Sequence, residues 1–190
     1  MAAKIEPLLT IEDLEACPDD SNRYELIGGE LFVSRAPVVE HQLIVQNIQK
    51  YWLAYLERKL VGTIVAGAGA VLGQHDAVIP DLVFVPNKRW STIVRNGRFV
   101  GPPDIVVEVV SPGIENQRRD RSVKRQLYAK YGVREYWIVD SENRSIDIHR
   151  LAGANLKLIC TLQDRDEVTS PLLPEFRLQV SMVFICPAQG

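Results

Sequence analysis

Two carboxylates interrupt apolar runs in this chain, and both sit where an unpaired charge is expensive. Glu108 lies in the middle of Pro103-Asp104-Ile105-Val106-Val107-Glu108-Val109-Val110-Ser111-Pro112, a β-branched run bounded by prolines. Asp81 follows Pro80 at the head of Ile79-Pro80-Asp81-Leu82-Val83-Phe84-Val85-Pro86. Such runs read as strands buried on both faces. An ionised carboxylate inside one needs a cation, a proton or a donor network. If the two strands are neighbours, the carboxylates converge at one edge of a sheet. There they repel and one pKa rises, unless a divalent cation bridges them. All-oxygen ligation favours Mg2+ or Mn2+ over softer metals. A cation so held acidifies a bound water and stabilises charge developing on a phosphate. Lys124, on the helix after the Glu108 strand, is the candidate ammonium. Spacing alone leaves a plainer reading open. Asp120 and Lys124 also form an (i, i+4) pair worth a few tenths of a kcal/mol on a helix surface, and Glu108 could be a buried residue bonded to a Tyr or an Arg.

The elements that must position these groups follow from periodicity. Thr10 caps a short helix, Ile11–Ala16, with Asp13 at the capping-box position. Residues 23–27 and 30–33 read as a hairpin around Gly28-Gly29, with Glu25 facing solvent unless the hairpin packs over the site. Pro37 opens a long helix, Val38–Leu60, with an apolar stripe from Leu43 to Leu56 and His41 beside its core side; Gly62 is expected to end it. Thr63–Leu72 reads as one small-residue strand whose glycines permit a bend or close backbone approach. Lys88–Val100 is expected to be a basic, partly irregular connector. Beyond a turn at Ser111-Pro112-Gly113, Glu115–Tyr131 reads as a helix stopped by Gly132, with Asp120, Lys124, Leu127, Tyr128 and Tyr131 on one face. A strand at Glu135–Asp140, a hairpin around Gly153-Ala154-Asn155 and a short C-terminal tail complete the order. It is that of one α/β domain over residues 1–190, with a mixed sheet flanked by helices.

Composition narrows the function classes. A chain of 190 residues with 46% hydrophobic and 24% charged residues fits one globular domain. No apolar run approaches a membrane span and the acidic start does not resemble a signal peptide, so a cytoplasmic protein with no membrane partner is expected. Cys17, Cys160 and Cys186 lack a CxxC pair, which argues against a disulfide framework or zinc site. Net charge is −2, so nothing in the total advertises nucleic-acid binding. Residues 114–135, however, hold 7 Lys and Arg against 3 Asp and Glu. Arg118, Arg119 and Arg121 in that patch are candidate phosphate-binding groups, although such patches are more often solvated helix faces.

Several pieces together resemble one known family. They are Pro80-Asp81, the Glu108 run, Lys124-Arg125-Gln126-Leu127-Tyr128 and Gly132-Val133-Arg134-Glu135-Tyr136-Trp137-Ile138-Val139-Asp140. With Tyr24-Glu25-Leu26-Ile27-Gly28-Gly29-Glu30-Leu31, His41-Gln42 and Ser170-Pro171-Leu172-Leu173-Pro174, they look like the bacterial restriction-endonuclease family called Uma-two, within the PD-(D/E)xK nuclease superfamily. The resemblance spans nearly the whole chain in the right order. It implies a restriction-endonuclease-like core and metal-dependent hydrolysis of nucleic-acid phosphodiesters, with DNA the expected partner. It implies Asp81 and Glu108 as metal carboxylates for Mg2+ or Mn2+, and Glu25 and His41 as auxiliary groups. The superfamily's usual lysine position, two residues after the glutamate, is Val110 here, so that role would pass to Lys124. A homodimer is expected, since many nucleases cut both strands as two-fold dimers. The competing functional reading is a non-catalytic nucleic-acid-binding or regulatory module that keeps a nuclease fold. A third is a structural dimer whose carboxylates are only core ion pairs.

Overall fold

The computed structural model describes residues 7–110 and 113–186, the side chains of Ile114 and Glu115 excepted. Thr10 caps helix α1 (Ile11–Glu15), and the reciprocal Thr10–Asp13 capping box is present. Strands β1 (Arg23–Ile27) and β2 (Glu30–Ser34) form the expected hairpin. Gly28 and Gly29 both take positive φ, +61° and +80°, which a tight two-residue turn of this hand demands.

Helix α2 (Val39–Leu56) is shorter than the expected Val38–Leu60. It stops where its stripe stops, at Tyr55 and Leu56, and Leu60 and Val61 beyond are exposed. Gly62 does not end the helix. It opens β3 (Gly62–Ala66), and a Cβ there would lie 2.5 Å from the Phe84 ring and the Val85 carbonyl. Close strand approach, not helix termination, requires that glycine.

The expected strand over residues 63–72 is two strands in different sheets. The chain breaks at Gly67, with φ +61°, between β3 and β4 (Ala70–Gly73). After β5 (Asp76–Val78) and β6 (Leu82–Pro86), the basic connector proves to hold helix α3 (Asn87–Ile93) and two short strands, β7 (Val94–Arg95) and β8 (Arg98–Val100). Strand β9 (Ile105–Val110) is buried at every position. The turn expected at Ser111-Pro112 lies outside the described residues.

The helix that follows has three parts: α4 (Ile114–Arg118), a π-helical segment (Arg119–Lys124) and α5 (Arg125–Tyr131). Gly132 ends it in the left-handed region, φ +83°, as expected. Asp120, Lys124 and Tyr128 recur every four residues. In an α-helix each such step overshoots one turn by about 40°. The wider i→i+5 turn undershoots instead. The two deviations offset, so all three side chains are buried on one face.

Strand β10 (Glu135–Asp140) runs parallel to β9, closing a β–helix–β crossover. The hairpin β11 (Ser145–Ala152) and β12 (Asn155–Gln163) extends the sheet, and β13 (Glu167–Ser170), β14 (Leu173–Gln179) and α6 (Val180–Val183) complete the described chain. The central sheet has the order β12-β11-β10-β9-β6-β3, with only β9 and β10 parallel. A second sheet, β2-β1-β5-β4-β8-β7, carries the hairpin.

Alternation sorts the central strands onto two cores. Leu82, Phe84, Ile105, Val107 and Val109 pack with α2, around Trp52 and Trp137. Val83, Val85, Val106 and Val110 pack on the opposite side with Tyr128 and Tyr136. By the same alternation Asp81 and Glu108 face that second side, beneath α5 and the hairpin.

A candidate active site beneath the hairpin

Strands β6 and β9 are antiparallel neighbours in the register Leu82↔Val107 and Val83↔Val106. One further step sets Asp81 opposite Glu108. The convergence expected from sequence is therefore present. Both carboxylates line a cleft of about 370 Å³, together with Glu25, His41, Asp120 and Lys124.

Each carboxylate has its own surroundings. Oδ2 of Asp81 accepts the Val109 N–H at 2.8 Å. Its Oδ1 stands 3.0 Å from Nε2 of His41 and 3.6 Å from Nη1 of Arg23. Burial pushes the Asp81 pKa up, but the His41 ring, the Val109 N–H and the Lys124 charge outweigh it, and the carboxyl stays below its usual range. Glu108 goes the other way. Its Oε1 accepts from Lys124 at 3.0 Å and from the Tyr128 hydroxyl at 2.7 Å. Burial, reinforced by the charges of Asp81, Asp120 and Glu25, pushes it up to about 8 against the pull of Lys124.

Lys124 is enclosed by carboxylates. Its Nζ is 3.0 Å from Glu108, 3.0 Å from Glu25 and 3.9 Å from Asp120. Burial alone would lower its pKa, yet these three neighbours raise it, so it stays charged. Oε1 of Glu25 also accepts the Ile79 N–H at 2.8 Å. One carboxylate oxygen thus ties the lysine to the backbone two residues before Asp81. Glu25 reaches this position because the hairpin does pack over the site. Asp76 anchors it there, accepting from the Gly28 N–H at 2.6 Å, Lys130 at 2.8 Å and the Tyr131 hydroxyl at 2.7 Å.

The arginine candidates divide. Arg119 lines the cleft and pairs with Asp120 at 3.2 Å. Arg121 is held instead by Asp140 and Asp147, on β10 and β11, and does not line the cleft. Arg118 does not line it either. Two further cleft cations, Arg23 and Arg35, are not singled out by motif or charge pattern. Strand alternation is the signal that points to Arg23, since it puts residues 23 and 25 on the same face. Helix periodicity places Tyr128 and Asp120 on the Lys124 face but gives neither a role.

The cleft holds four carboxylates, Glu25, Asp81, Glu108 and Asp120, against four cations, Lys124, Arg119, Arg23 and Arg35. The formal charges balance, so the case for a bound cation rests on the converging Asp81 and Glu108 oxygens and not on net charge. Among the described residues no three His, Cys, Asp or Glu side chains converge as a ready-made cage. That still fits Mg2+ or Mn2+, which bind through one or two carboxylates and complete their shells with water and substrate phosphate. No helix among the described residues is long and apolar enough to cross a membrane.

Comparison with known proteins agrees with the architecture. The crystal structure of "a putative nuclease belonging to DUF820" from Anabaena variabilis ATCC 29413 superposes with a TM-score of 0.77, covering 93% of this chain and 97% of that one at 17% identity. At that identity the likeness is one of fold. No curated protein matches the sequence. Residues 11–181 match the family Uma2, described as "Putative restriction endonuclease", and the chain belongs to that family.

Proposed function

We propose that this Uma2 family member is a metal-dependent endonuclease that hydrolyses phosphodiester bonds, with DNA as its substrate. The observation that carries the reading is the facing pair Asp81 and Glu108, with the Lys124 ammonium 3.0 Å from the latter in an open cleft. Asp81 and Glu108 would hold Mg2+ or Mn2+, which supplies an acidified water and stabilises charge on the phosphate. Lys124, kept protonated by its neighbours, places a fixed positive charge beside that centre and offsets charge developing on the phosphoryl oxygens. Arg23, Arg35 and Arg119 line the same cleft and suit flanking phosphates. A two-fold dimer would let two such clefts cut both strands.

The test is cleavage of mixed DNA and RNA substrates by the wild type and Glu108→Gln, with millimolar Mg2+ or Mn2+ and with a chelator. The expected result is DNA cleavage that needs both the metal and Glu108. Unchanged cleavage by Glu108→Gln would remove the assignment. Salt-sensitive binding without metal-dependent cleavage by the wild type would make the chain a binding module on a nuclease fold.

A further inference from the structure

We propose that His41 ligates the site's divalent ion together with Asp81, and that its imidazole makes the site favour Mn2+ over Mg2+. This rests on the metal-dependent function proposed for the cleft and assigns one more ligand to the same centre.

His41 lies near the start of α2, is 8% exposed and lines the cleft. Neither ring nitrogen has a hydrogen-bond partner among the described residues. Buried polar atoms are rarely left so. Nε2 is 3.0 Å from Oδ1 of Asp81, but off the line of a hydrogen bond. That separation has a simple meaning in coordination geometry. Two adjacent donors on one octahedral ion, each about 2.1 Å from it, stand about 3.0 Å apart. Asp81 is oriented for the same task, because the Val109 N–H holds Oδ2 and leaves Oδ1 toward His41.

Neither Arg23 nor a plain ion pair accounts for the contact as well. Arg23 also approaches Oδ1, but only to 3.6 Å and from a partly exposed position free to serve a phosphate. A protonated His41 paired with Asp81 would point its Nε2–H along the line to Oδ1, and that line is not met. The chemical consequence is selectivity. Carboxylate and water ligands suit Mg2+ and Mn2+ alike, whereas one imidazole shifts the balance toward the transition metal.

The test uses the full chain without nucleic acid and Mn2+ alone as the probe. Pulsed electron paramagnetic resonance of bound Mn2+ reads directly coupled nitrogen. The wild type should show that coupling and His41→Gln should lose it. The substitution should also weaken Mn2+ binding by about 10-fold or more and Mg2+ binding by less than about 3-fold. Mn2+ bound without nitrogen coupling, or coupling that survives in His41→Gln, would overturn the role of His41 and leave metal-dependent cleavage standing. Failure of the wild type to bind either ion, with no metal-dependent cleavage, would overturn both. Should His41→Gln not fold, the wild-type spectrum decides by itself.

Discussion

Nζ of Lys124 donates to Oε1 of Glu108 at 3.0 Å, across the interface between helix and central sheet. The lysine is not the residue two positions after the glutamate, which is Val110 on the same strand. It arrives from the π-helical segment of the helix that follows β9, and Tyr128, one turn further on, donates to the same oxygen. The helix therefore supplies what the strand lacks.

Removing Lys124 leaves Glu25, Glu108 and Asp120 buried without their shared cation. Breaking a buried ion pair from one side costs about 3–5 kcal/mol. Lys124→Met should approach that loss at pH 8, and removing the lysine's pull also drives the Glu108 pKa further up. Urea unfolding at pH 8 measures it. A loss below about 1 kcal/mol at pH 8 would mean that the lysine is not what neutralises the cluster.

The raised Glu108 pKa gives a signed pH dependence. The native carboxyl holds its proton up to about 8, whereas the unfolded one releases it near 4.5. The native state therefore binds more protons between those values, and the Glu108 contribution to stability falls as pH rises through that window. Glu108→Gln cannot titrate. Without metal, its melting temperature relative to wild type should rise steadily from pH 5 to pH 8. A difference that stays flat across the range contradicts the buried, protonated carboxyl.

Glu25 should be sensitive to which atoms remain. Glu25→Gln keeps an oxygen for the Ile79 N–H, while Glu25→Ala leaves that partly buried donor and one side of Lys124 unmet. An unsatisfied buried donor costs about 1–3 kcal/mol. The alanine variant should therefore be the less stable of the two by that order in chemical denaturation, and equal stability would show that the Ile79 contact contributes nothing.

The pair at the centre of the candidate site was legible because burying a charge in a β-branched run is costly. Asp81 and Glu108 stood out on that ground alone, whereas their facing each other depends on β6 and β9 being neighbours, which spacing does not show. The capped α1, the Gly28-Gly29 hairpin, strand β10 and the stop at Gly132 were legible from local chemistry. What local chemistry could not show was long-range contact. Gly62 looked like a helix stop because its real constraint, the Phe84 ring, is 22 residues away. The run over residues 63–72 looked continuous because the need to change sheets at Gly67 is set by partners elsewhere. Arg121 looked available because Asp140 and Asp147 reach it only after the crossover folds.

That last distinction separates two arginines by experiment. Arg35 is exposed, lines the cleft and makes no ion pair among the described residues, so its charge is available to a phosphate. Arg121 already commits its guanidinium to two carboxylates away from the cleft. Each phosphate neutralised by a protein cation adds about 0.9 to the slope of log affinity against log salt on duplex DNA. Arg35→Gln should weaken DNA binding and flatten that slope by about one unit. Arg121→Gln should leave slope and affinity near wild type and instead lower stability slightly, since partly exposed pairs contribute about 0–1 kcal/mol each. Binding titrations at four or five salt concentrations, made without divalent ions so that cleavage is silent, resolve the two variants. If Arg121→Gln flattens the slope and Arg35→Gln does not, nucleic acid lies along the helix that carries the basic patch, and not across the mouth of the cleft.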